Sequence, residues 1–142
     1  MTAITIKEQA IGYYDFILKS GVQAERGKIA VIDTGDAGAI TKGATDTGLI
    51  PIGIFTADVL GDGVKTVQVK FWSEIAAYWW ANDATTPIVL ADRGTLAYIK
   101  DDTTVSGDDT GRSALGLVLD VNSTDGVLVY AAYPFVPDVV GV

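Results

Sequence analysis

The chain has 142 residues, with 18 Asp and Glu against 10 Lys and Arg, a formal net charge of −8, and neither cysteine nor histidine. Those two absences remove disulfides, thiolate nucleophiles, imidazole triads and the usual zinc ligand sets. The acidic balance repels phosphate backbones, so nucleic acid is not expected as a partner.

At this length one domain is expected, burying roughly 70% of its unfolded surface. The start of the chain lacks the basic opening and unbroken apolar stretch of a signal peptide, because Lys7, Glu8, Gln9, Tyr13, Tyr14 and Asp15 interrupt it. No apolar run approaches the roughly 18 residues that span a bilayer. Neither export by the general secretory route nor a membrane partner is therefore expected.

In chain order, residues 1–22 read as an extended N-terminal arm reaching onto a partner by strand addition or, equally, as an edge strand followed by a core strand, with Ile4 and Ile6 alternating against polar residues before the aromatic stretch Tyr13, Tyr14, Phe16. Residues 23–142 read as a single β domain ending in an apolar tail. Residues 28–33 predict a strand. The Gly-rich stretch 34–48 predicts a surface loop, since no Gly-Lys-Ser/Thr follows and the phosphate-loop spacing is missing. Residues 50–55 and 64–72 predict a strand pair.

Residues 71–80 carry two periods. Ile75, Ala76 and Trp79 suit one helical face with Ser73 as N-cap, but the aromatic content favours a strand, which is the reading adopted. Trp72, Tyr78, Trp79 and Trp80 lie close together, suited to a core, an interface anchor or a sugar platform. Strands are then expected at 88–91, 95–99, 114–121 and 127–133, with Pro134 and Pro137 stopping the sheet before a tail that contains Phe135. About nine or ten short strands with Gly and Asp turns predict an all-β fold, a small barrel or sandwich.

The chain also repeats itself. Gly53, Asp62, Gly63 and Val64 recur as Gly116, Asp125, Gly126 and Val127, 63 positions later, each time as an apolar run, an Asp-Gly turn and a second apolar run. Upstream, Ile29 to Asp33 resembles Ile88 to Asp92. Two copies are too few for a solenoid, so a pseudo-duplicated domain is expected.

The acidic loop with Asp101, Asp102, Asp108 and Asp109 is the one place where carboxylates are dense enough for metal or acid chemistry. It lacks EF-hand spacing and a closing Glu, and charge runs normally sit in water. Arg112 at its base is expected to pair with Asp108 or Asp109. No catalytic, cofactor or metal residue is assigned, and no enzymatic activity is expected.

The string Tyr98 Ile99 Lys100 Asp101 Asp102 Thr103 Thr104 Val105 Ser106, then Gly111 Arg112 Ser113, the run Ala114 to Val121 and Asp125 Gly126 Val127 Leu128 Val129 resemble the capsid decoration, or cement, proteins of tailed bacteriophages. The likeness covers roughly the last 90 residues and leaves residues 1–45 uncovered. It implies a virion structural protein, often a homotrimer, that sits on the outer surface of an icosahedral head, binds the major capsid protein and clamps neighbouring capsomers. The localisation it implies is the capsid exterior, with host cytoplasm during assembly. A tail or baseplate structural protein and a carbohydrate-binding β module are the alternatives. Ile4, Ile6, Tyr13, Tyr14, Phe16, Trp79, Trp80 and Phe135 are the expected contacts with capsid or neighbouring subunit.

Overall fold

The computed structural model describes residues 12–75 and 77–131. The fold is all-β, as the sequence pattern predicts, and the described residues form twelve strands, one single-turn α-helix and two 3-10 turns. In the first half these are β1 (Tyr13–Ile17), β2 (Gln23–Ala24), β3 (Ile29–Asp33), β4 (Ala39–Lys42), β5 (Leu49–Phe55), β6 (Val59–Leu60) and β7 (Thr66–Phe71). After helix α1 (Trp72–Ile75) come β8 (Ala77–Asn82), β9 (Leu96–Ile99), β10 (Thr104–Ser106), β11 (Ala114–Asn122) and β12 (Gly126–Tyr130).

Two five-stranded units follow one another with the same connectivity. The first has the order β1-β7-β5-β3-β4, and the second, a closed barrel, runs β8-β12-β11-β9-β10. Replacing each strand by its rank within its own unit gives the same order twice. The second unit closes where β10 pairs with β8 in parallel, through Thr104 with Ala81 and Val105 with Asn82. In the first unit the two edge strands meet at one parallel bridge, Leu18 with Ile40. The small β2–β6 ladder belongs to the first unit alone.

Strand register shows which residues correspond. Ala30 pairs with Gly53, and Ala97 pairs with Gly116. Phe16 pairs with Val67, and Trp80 with Val127. Each unit is filled by the residues that period-two alternation turns inward. Leu18, Ala30, Ile40, Phe55, Val67 and Val69 are buried in the first core. Ala97, Val105, Val118, Val127 and Val129 hold the matching places in the second. Burying side chains of this kind contributes roughly 1.5–3 kcal/mol each.

Strand β3 joins the two cores because it is buried on both faces. Ala30 points into the first core, whereas Ile29 and Val31, with Leu49, pack into the second. Polar contacts hold the same seam. Ile29 N–H donates to the Asp102 carbonyl at 2.9 Å, and the Thr45 hydroxyl to the Lys100 carbonyl at 2.7 Å. The Ser113 hydroxyl takes the Leu49 N–H at 3.0 Å and donates to the Asp46 carbonyl at 2.8 Å.

Several expectations are corrected. Of the two readings of the N-terminal stretch, Tyr13–Ile17 takes the strand: it pairs with β7 residue for residue, with Phe16 half-buried and Leu18 fully buried in the first core, while Tyr13, Tyr14 and Ile17 stay exposed. Residues 1–11, with Ile4 and Ile6, and residues 132–142, with Phe135, lie outside the described residues. The stretch 34–48 is not all loop, since Ala39–Lys42 forms β4 against β3, with Ile40 filling the core.

The upstream match also shifts. Ile88 is buried but leads into a 3-10 turn at Leu90–Asp92, and the true counterpart of β3 is β9. Residues 71–80 are not one strand: α1 interrupts them, turning Trp72 back into the core where it meets Trp80 edge to face at 6.4 Å.

Candidate interaction surface

The sequence-derived contact residues on β1 and β8 fall into two groups. Register places Phe16 and Trp80 at the same core-facing position of the two units, so neither is a surface anchor. Trp80 is only 3% exposed and Phe16 is half-buried against the first core. The outer neighbours differ. Tyr13 and Tyr14 are 49% and 47% exposed, and Lys70 sits 5.9 Å from the Tyr13 ring centroid, within cation–π reach.

On the second unit, Trp79 pairs with Leu128 and Ala77 with Tyr130. Since Val127 and Val129 point inward, alternation sends Leu128 and Tyr130 outward beside Trp79. Leu117 pairs with Tyr130, and the bulge between Val118 and Asp120 leaves Leu119 exposed. The result is an apolar face of Trp79, Leu128, Tyr130, Leu117 and Leu119 on β8, β12 and β11. Leu128, Tyr130 and Leu119 were not picked out from the sequence. For Leu128 and Tyr130 the signal lies in β12, which is apolar on both faces where β7 alternates apolar with Gln and Lys.

The carboxylates are engaged in building turns and closing the second barrel. Asp101 accepts from the N–H groups of Thr103 and Thr104 and from the Thr103 hydroxyl. Asp108 accepts from Thr110 N–H and pairs with Arg112 at 3.1 Å, so the expected Arg112 pair forms with Asp108. Among the described residues, no group of three or more Asp or Glu gathers as a metal site.

Asp83 is the buried exception, 2% exposed. The Lys100 ammonium at 2.7 Å, Thr85 N–H and the Ser106 hydroxyl hold its carboxyl far below the usual range. The structural reason is closure. Asp83 N–H donates to the Val105 carbonyl, as Lys19 N–H does to that of Ile40 in the first unit. The charges are reversed there, Lys19 pairing with Asp36 at 2.5 Å in solvent. A shallow depression beside the acidic loop is lined by Pro87, Thr95, Leu96, Tyr98 and Asp109, and it reaches Asp92. The Asp92 carboxylate is already occupied by Val89 N–H.

Comparison with known proteins finds no matching family model, curated protein or solved structure. The molecule's own two halves thus provide the comparison that relatives would otherwise supply. Among the described residues no helix is long and apolar enough to cross a membrane. Chemically, the arrangement offers β surfaces, one of them apolar, with Asp83 and Asp108 held ionised by hydrogen bonds and a neighbouring cation.

Proposed function

We propose that the chain is a structural protein of a tailed-bacteriophage virion that binds the outside of the assembled head and stabilises it by bridging neighbouring capsomers. The observation that carries this reading is the duplicated five-stranded β unit, with one apolar outer face on an otherwise acidic body. A binding module needs a stiff scaffold and a patch to adhere with, and the sequence resemblance supplies the head as its setting.

The mechanism is linkage. A ligand that occupies only the assembled lattice stabilises it by RT ln(1 + [L]/Kd), about 2.7 kcal/mol per site at a hundredfold excess over Kd. Oligomerisation as a trimer adds avidity, because one bound subunit holds the others at high local concentration. Summed over a shell, such increments oppose internal DNA pressure.

The test is co-sedimentation of purified protein with decoration-free heads, followed by heating. Saturable binding with a raised disruption temperature supports the reading, and absence of binding removes it. The carbohydrate-module alternative loses ground because Trp80 is buried in the core, leaving Trp79 without a neighbouring indole for a platform.

A further inference from the structure

The internal repeat provides a control for what the fold demands of its surface. On the outer face of the first unit, strands β1 and β7 present Asp15, Gln68 and Lys70. At the same register positions of the second unit, β8 and β12 present Trp79, Leu128 and Tyr130. The first unit folds with polar residues in these places, so the apolar ones are not required to hold the second together. Tyr130 remains 39% exposed and Leu119 38%.

We propose that this face docks onto a protein surface that is apolar at its centre and ringed by Lys or Arg. The inference rests on the head-binding reading, in which that surface belongs to the shell. Charge selects the partner. Asp120 pairs with Leu128 on the face, and Asp125 lies in the adjoining turn. Of the bases in this half, Lys100 and Arg112 are taken up by Asp83 and Asp108, leaving Arg93 beside Asp92 in a neighbouring turn. A second copy in a twofold contact centred on Leu128 is disfavoured as occupant, because it brings Asp120 towards its own image, uncompensated.

The test grafts the first unit's residues onto the second: Trp79→Asp, Leu128→Gln and Tyr130→Lys together, with Tyr130→Lys alone in case the triple variant does not fold. Gln68→Ala, on the corresponding outer face of the first unit, serves as control. Mass by light scattering, thermal melting, and co-sedimentation with decoration-free heads at low and high salt are measured. The expected result is unchanged mass and cooperative melting, with head binding weakened about 100-fold by the triple graft and at least about tenfold by Tyr130→Lys, and unaltered by Gln68→Ala. Wild-type binding is expected to weaken about tenfold between low and high salt.

Undiminished binding by a folded graft overturns the docking face. A fall in oligomer mass on grafting makes a second copy the occupant and overturns the chosen partner, and salt-independent binding overturns the basic rim. Wild-type protein that does not bind heads at all overturns the head reading itself, and this inference with it.

Discussion

Gly53 and Gly116 occupy the same place in two copies of one five-stranded fold: each pairs with a buried alanine, Ala30 or Ala97, and each lies against a carbonyl of the strand on its other side. A Cβ at Gly53 would collide with the carbonyl of Lys70, and one at Gly116 with that of Tyr130. Neither glycine is required by positive φ. What selects it is the close approach of neighbouring backbones. Gly53→Ala and Gly116→Ala should each lower stability by roughly 3 kcal/mol or more, since backbone rather than a flexible side chain must move. Urea unfolding monitored by tryptophan fluorescence measures this, and a loss below about 1 kcal/mol in both would argue against the equivalence.

Corresponding positions need not be interchangeable. Leu18, fully buried, stands where the second unit has Asn82, whose side chain bonds the N–H and carbonyl of Ile88 at 2.8 and 2.7 Å. The amide introduced by Leu18→Asn would be buried in an apolar core with lost packing around it. The variant is expected to lose about 3 kcal/mol or more, whereas Asn82→Leu loses the loop attachment at Ile88. Denaturant midpoints for the two variants check both.

Acid sensitivity should centre on Asp83. Its carboxyl is depressed first by Lys100, then by Thr85 N–H and Ser106. A folded-state pKa below the unfolded value of about 3.9 contributes stability that is present at neutral pH and drains away as pH falls below about 4. Melting temperature should therefore fall through the acid range, and Asp83→Asn should flatten that limb while lowering stability at pH 7. Lys19→Met, which removes the solvent-exposed counterpart pair with Asp36, should change the melting temperature by no more than about 2 °C. Melting curves from pH 2 to 7 separate the two cases.

The legible part of this fold was set by composition and alternation. Val67 and Val69 alternate with polar residues, and that pattern alone marks β7 as half-buried. Gly53 and Gly116 were likewise visible as a repeat. The Asp-Gly pairs beside them misled: register aligns Thr66 with Gly126, so Gly63 lies within a longer loop while Gly126 begins β12. A turn dipeptide reports local backbone chemistry and can recur without structural equivalence.

Two other features depended on tertiary context. Tyr13–Ile17 is a strand because β7 offers an edge and the first core needs Phe16 and Leu18, neither of which is encoded locally. Trp79 and Trp80 are adjacent in sequence, and only knowing which face is interior separates an outward residue from a core one. The apolar face is hard to read from the sequence for a related reason. Its members lie on three strands, and Leu128 and Tyr130 stand out only beside Gln68 and Lys70 of the other copy.

The central claim is adhesion to an assembled head through a defined face, and electron cryomicroscopy of decoration-free heads before and after adding purified protein tests it most directly. The account predicts new density outside the shell at saturable sites, resolved as two five-stranded β units, with the Trp79, Leu128 and Tyr130 face of the second, the closed barrel, against the capsid. Heads that gain no density after incubation with folded protein, or that bind it through the Asp15, Gln68 and Lys70 face, would contradict it.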